Sequence, residues 1–90
     1  MMMCYHVIFA GKVQGVGFRY FVCQTAGDCR IRGWVRNLPD LSVELLAEGE
    51  KDDLECLMTR VHSHFNSFIR DVHLQPRPAS GAFERFLIVD

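Results

Sequence analysis

A chain of 90 residues with 49% hydrophobic, 11% aromatic and 23% charged side chains has the make-up of one soluble globular domain, residues 1–90, and excludes a two-domain arrangement. At this length about 60 to 65% of the unfolded surface is buried on folding, enough for one shared core and a shallow surface site but not for a large enclosed pocket. The formal net charge of −1 argues against affinity driven by nucleic-acid phosphates, which needs a strong basic excess.

Tyr5 to Val13 reads as a strand from its Val7, Ile8, Phe9 centre and runs into a stretch punctuated by Gly11, Gly15 and Gly17. From Phe18 the set Phe18, Phe21, Val22, Thr25, Ala26 and Cys29 falls on one helical face, predicting an amphipathic helix that ends near Gly27 to Cys29. Ile31 to Leu38 and Ser42 to Glu48 are strand-like and flank Leu38-Pro39-Asp40-Leu41, where Pro-Asp suits the middle of a type I turn, so they form a hairpin. A second helix is expected from the acids Glu50, Asp52 and Asp53, with the stripe Leu54, Leu57, Met58, Val61 and Phe65. Phe68 to Leu74 and Phe83 to Val89 read as closing strands around a turn region at Pro76 to Gly81.

This order gives an α+β fold: a ferredoxin-like split βαββαβ sandwich, with a mixed, largely antiparallel sheet, both helices on one face and an extra C-terminal strand. In that plan the sheet order is 4-1-3-2. The first two strands are then parallel and separated by the third, so Asn37 and the loop after Val13 face each other across about 10 Å at one sheet edge.

Charge is uneven along the chain. Up to Arg36, five cations (Lys12, Arg19, Arg30, Arg32, Arg36) outnumber Asp28 for a balance of +4, whereas Asp40 to Glu55 carries seven acids against Lys51 for −6. The acids read as a solvated strand face and a helix start; the basic front suits a small anion. Within that front, Gln14-Gly15-Val16-Gly17-Phe18-Arg19 has two glycines that let backbone N–H groups converge where a helix begins. Such a nest, the helix dipole and the Arg19 guanidinium together make an anion site. The spacing matches neither the dinucleotide fingerprint nor the Walker phosphate loop, and by itself is also explained by a tight strand-to-helix turn.

Val13-Gln14-Gly15-Val16-Gly17-Phe18-Arg19, followed by Gly33-Trp34-Val35-Arg36-Asn37-Leu38-Pro39-Asp40, resembles the acylphosphatases over nearly the whole chain. The resemblance implies that Gln14, Gly15, Val16, Gly17, Phe18 and Arg19 bind phosphate, that Arg19 is the essential cation and that Asn37 holds the attacking water. It implies hydrolysis of acyl phosphates to a carboxylate and inorganic phosphate without a metal or organic cofactor. One position departs from the family pattern: Leu41 stands where a glycine usually follows the hairpin aspartate, at a point that favours a left-handed backbone. Two alternatives stay open: an acylphosphatase-like domain of the kind found in hydrogenase maturation proteins, associated with carbamoyl phosphate, and a non-catalytic anion-binding module.

The other reactive side chains read as structural. Cys4, Cys23, Cys29 and Cys56 form no C-x-x-C pair and are expected to be reduced thiols rather than disulfides or zinc ligands. His62 and His64 point to different helical faces, and His6 and His73 are isolated strand residues, so no metal site is expected. Trp34 and Tyr20 lack the basic, aromatic-rich motif of an RNA-recognition domain. The expected partners are therefore a small acyl phosphate and inorganic phosphate, with no nucleic acid and no membrane. The chain is expected to be cytoplasmic, since it shows no signal peptide and no apolar run approaching about 20 residues, and a monomer is expected.

Overall fold

In the first strand Val7 and Phe9 are fully buried while His6 and Ile8 between and beside them are half-exposed, the period-two pattern of a strand with one face on a core. The computed structural model, which describes residues 1–90, places them in β1 (Met2–Gly11), followed by α1 (Phe18–Asp28), β2 (Arg32–Asn37), β3 (Val43–Glu50), α2 (Lys51–His64), β4 (Ile69–Pro78) and β5 (Phe86–Ile88). The sheet order is β4-β1-β3-β2-β5. β3 is antiparallel to both β1 and β2, so these two run parallel on either side of it, as the split βαββαβ plan requires. β5 adds a parallel edge beside β2, Gly33 opposite Phe86.

Both helices pack on the face carrying Val7, Phe9, Val35, Val43, Leu45 and Ala47. α1 supplies Phe18, Val22, Thr25 and Ala26 to this core and α2 supplies Leu54, Leu57 and Val61. Each Val, Leu and Phe among these contributes about 1.5–3 kcal/mol by leaving water. Phe18 is clamped between Phe9 and Phe65, with ring centroids at 5.0 and 4.9 Å, which fixes the start of α1 against the sheet. The far end of α1 closes in a Schellman motif: Ile31 N–H donates to the Ala26 carbonyl at 2.8 Å and Arg30 N–H to that of Gly27 at 3.3 Å. Arg30 holds the left-handed position, φ 61°, usually taken by glycine. No helix is long and apolar enough to cross a membrane.

The C-terminal third departs from expectation. β4 continues to Pro78 rather than ending near Leu74, through Pro76 and Pro78. Prolines are tolerated there because β4 is an edge strand, whose outward N–H positions need no partner. The last strand is only Phe86–Ile88, not Phe83 to Val89. To link opposite sheet edges, residues 79 to 85 cross the sheet as a strap. It is held by Glu48, only 4% exposed, which accepts hydrogen bonds from Ser80 N–H (2.8 Å), Ser80 Oγ (2.6 Å) and Gly81 N–H (3.1 Å).

Glu48 and Glu44 are therefore not part of a solvated strand face. Glu44 bridges His6 Nε2 (2.7 Å) and Arg36 Nε (2.6 Å), so His6 is not an isolated residue, and Arg36 also lies over the Trp34 ring. Burial alone would raise the pKa of both carboxyls. Glu44 is instead held below the ordinary range by His6 and Arg36, and Glu48 by the Ser80 hydroxyl and the N–H groups of Ser80 and Gly81.

Candidate active site

The glycine-punctuated loop is pinned at both ends. Before it, Gly11 (φ 130°) passes so close to the next strand that a Cβ there would lie 2.3 Å from the Phe68 carbonyl oxygen. After it, the buried Phe18 ring fixes the first turn of α1. Between them Gly15 and Gly17 adopt φ 77° and 80°, a left-handed conformation that an L side chain enters at about 1–2 kcal/mol. The two kinks turn this backbone so that no N–H from Gly15 to Tyr20 donates to a backbone acceptor, and Phe21 N–H to the Gly17 carbonyl is the first bond of the helix. Unpaired N–H groups at a helix start carry partial positive charge.

The opposing wall is the β2–β3 hairpin. Leu38-Pro39-Asp40-Leu41 forms the expected turn, closed by Leu41 N–H to the Leu38 carbonyl (3.1 Å) and Leu38 N–H to that of Ser42 (2.9 Å). Leu41 takes the left-handed position, φ 75°, with its side chain largely in solvent. Asp40 accepts from the Ser42 hydroxyl and N–H, which hold its carboxyl below the usual range. Asn37 ends β2 and, two residues beyond Val35, shares its helix-facing side.

Gln14 joins the two walls. Its Nε2 donates to the carbonyls of Leu38 (3.0 Å) and Ser42 (2.9 Å), so the side chain is committed to holding loop and hairpin together. The cleft between them, about 190 Å³, is lined by Gln14, Gly15, Gly17, Phe18, Arg19 and Asn37, together with Val13, Tyr20 and Ile88. That volume is below the range of about 300–1,000 Å³ usual for drug-sized ligands, so it suits a small one. Val16 alone of the Gln14–Arg19 segment does not line it and points to solvent. Ile88 reaches the cleft because the last strand pairs with β2, which nothing in the sequence says.

Two polar side chains of the cleft, Arg19 and Asn37, are uncommitted. Arg19 is half-buried and takes part in none of the ion pairs, although Arg36, Arg60 and Arg70 each meet a carboxylate. Asn37 Oδ1 is the one buried side-chain oxygen or nitrogen without a hydrogen-bond partner, a state that costs about 1–3 kcal/mol. A wider hollow of about 710 Å³ lies between α2 and β4, and Phe9, Met58, His62, Val72 and the rest of its lining include no arginine or lysine. No group of three or more His, Cys, Asp or Glu side chains converges as metal ligands would.

A family model described as Acylphosphatase matches residues 5–88. An acylphosphatase of Methanospirillum hungatei JF-1 is 48% identical over 77 residues, 83% of this chain and 85% of the relative. The crystal structure of acylphosphatase from Bacillus subtilis aligns with a TM-score of 0.88 at 35% identity, covering 100% of both chains. The structure of HypF from T. kodakarensis aligns with a TM-score of 0.83 at 30% identity over 98% of this chain, which corresponds to 12% of HypF. With its whole length accounted for by such relatives, the chain belongs to the acylphosphatase family of enzymes.

Proposed function

We propose that the cleft hydrolyses the carboxyl-phosphate bond of small acyl phosphates, with the Gln14–Arg19 segment holding the phosphoryl group and Asn37 positioning the attacking water. One observation carries this reading: the uncommitted Arg19 guanidinium and the donor-rich start of α1 share a small cleft with Asn37, whose amide carbonyl has no hydrogen-bond partner. In a loose phosphoryl-transfer transition state the charge lies on three equatorial oxygens, and holding them while a water stands in line is most of the work. The loop N–H groups and the Arg19 fork hold the oxygens. The neutral amide of Asn37 can hold the water by its carbonyl or its NH2 group. The leaving carboxylate has a conjugate acid of pKa about 4, so it departs without a proton from a general acid. The water's proton can pass to the phosphate itself, and Gln14 acts by keeping the two walls in register.

The test is turnover of benzoyl phosphate in EDTA, with p-nitrophenyl phosphate as the poor-substrate control. Turnover should be chelator-insensitive; Arg19→Ala should damage both kcat and KM, whereas Asn37→Ala should lower kcat with little change in KM. An Asn37→Ala enzyme with undiminished kcat would remove the water-positioning role. A wild type that binds phosphate but turns over no acyl phosphate would leave an anion-binding module. Carbamoyl phosphate, implied by the alternative resemblance to an acylphosphatase-like domain, is the second substrate to run beside it.

A further inference from the structure

Away from the cleft, at the other end of α1, two thiols distant in the chain meet. Cys29 follows the last residue of α1 and is buried; Cys56 lies in α2 and is exposed. Their sulfurs are 3.6 Å apart. Arg60, one helical turn beyond Cys56, donates Nη1 toward Cys29 Sγ at 3.8 Å while its Nη2 meets Asp28 Oδ2 at 3.6 Å. We infer that Cys29 and Cys56 form a reversible thiol–disulfide site that reacts with low-molecular-weight disulfides and, when oxidised, ties the end of α1 to α2.

The geometry assigns the order of events. Only Cys56 is open to a reagent, so its thiolate attacks one sulfur of a small disulfide; the S–S bond breaks, Cys56 carries the mixed disulfide, and one small thiolate leaves and takes a proton. Cys29, already in contact, then loses its proton and attacks the Cys56 sulfur. The intramolecular bond forms as the second small thiolate leaves, so two protein thiols and one disulfide become one protein disulfide and two small thiols. Burial and the neighbouring Cys56 push the Cys29 thiol up, and Arg60 pulls it back toward the thiolate needed for this second step. A disulfide is about 2.05 Å long, so the sulfurs approach by about 1.5 Å from their 3.6 Å contact. The other two cysteines have no such partner: Cys4 is buried beside Glu48, and Cys23 faces the Phe86 carbonyl.

The experiment is to equilibrate the reduced chain with oxidised glutathione, trap free thiols by alkylation in acid, and read the intact mass and the linked peptides. The expected wild-type product has lost two of its four thiols, carries no glutathione, joins the peptides of Cys29 and Cys56, and reverts with reduced glutathione. Cys29→Ser should stop at a single glutathione adduct on Cys56, and Cys56→Ser should keep its remaining thiols. Because α1 is about 16 Å long, turnover of benzoyl phosphate should be the same for the reduced and oxidised chain. Four thiols left unreacted, a persistent adduct on wild-type Cys56, or a linkage through Cys4 or Cys23 would each overturn the assignment. The wild-type result decides alone should either serine variant fail to fold.

Discussion

Replacing Glu48 by glutamine tests the one buried carboxylate that holds the C-terminal strap. Its Oε2 accepts two hydrogen bonds from Ser80 and its Oε1 accepts one from Gly81 N–H. A glutamine has a single acceptor oxygen. Turned toward Ser80 it keeps two bonds, now to a neutral acceptor, and sets its NH2 group against the Gly81 N–H. Losing one bond to a charged acceptor costs about 1.5–3 kcal/mol, and the two survivors weaken because they are no longer charge-assisted. Burying an amide is cheaper than burying a carboxylate, which returns about 1 kcal/mol and leaves a net loss of about 2 kcal/mol. For a domain of this size, about 4–8 °C per kcal/mol makes that a fall in Tm of about 8–16 °C, measurable by circular dichroism at pH 7.

The pH dependence fixes the cause. The folded Glu48 pKa lies below its unfolded value of about 4.3, so its stabilisation is fully present above the unfolded value and is lost as pH falls through the folded one. The margin of wild type over Glu48→Gln should thus be widest near neutrality and narrow steadily below about pH 4. Glu44, shifted in the same direction, remains in both proteins and cancels from the comparison. A variant melting within about 2 °C of wild type at pH 7, or a margin that does not narrow in acid, would refute the anchoring role.

Leu41→Gly removes a left-handed strain of about 1–2 kcal/mol and gives back about 0.5–1 kcal/mol through glycine's freer unfolded state, so a rise in denaturation midpoint worth about 0.5–1 kcal/mol is expected; a lower midpoint would show the leucine packing usefully. Arg30→Gly, at the left-handed position of the α1 Schellman motif, should stabilise by a similar amount in the same assay. Gln14→Ala removes two hydrogen bonds of about 1 kcal/mol each and should raise the KM for benzoyl phosphate as the walls part; Gln14→Glu should do worse, because a carboxylate would face two carbonyl oxygens.

The parts of the fold legible in the sequence are those whose cause is local. The stripe from Phe18 to Cys29 states a helix by its spacing, and Gly15 and Gly17 state a left-handed loop because few other residues sit there cheaply. The Pro39-Asp40 turn is equally local, and with the two strands it joins it places Asn37. What remained hidden depends on residues distant in the chain. Gln14 reads as a loop residue until the hairpin carbonyls 24 and 28 positions later are in place to receive it. Pro76 and Pro78 argue against a strand unless β4 is known to lie at an edge. Glu48 has the spacing of a solvent-facing strand residue; only the strap, returning 32 residues later, buries it.

Leu41 shows how these two kinds of information meet. Its left-handed φ preserves the turn, and with it the Leu38 and Ser42 carbonyls that Gln14 requires, so the departure from glycine is absorbed as local backbone strain and not as a displaced hairpin. The register beside it is intact: Asn37 still pairs with Val43 and Val35 with Leu45. A residue that strains only its own φ lowers stability without moving its neighbours, and Leu41 points into solvent, away from the cleft lining. Relieving that strain should therefore raise the melting temperature and leave kcat for acyl phosphates where it was. Disturbing Gln14, which strains nothing but connects both walls, should instead lower kcat/KM, because there the same hairpin would lose its position relative to Arg19.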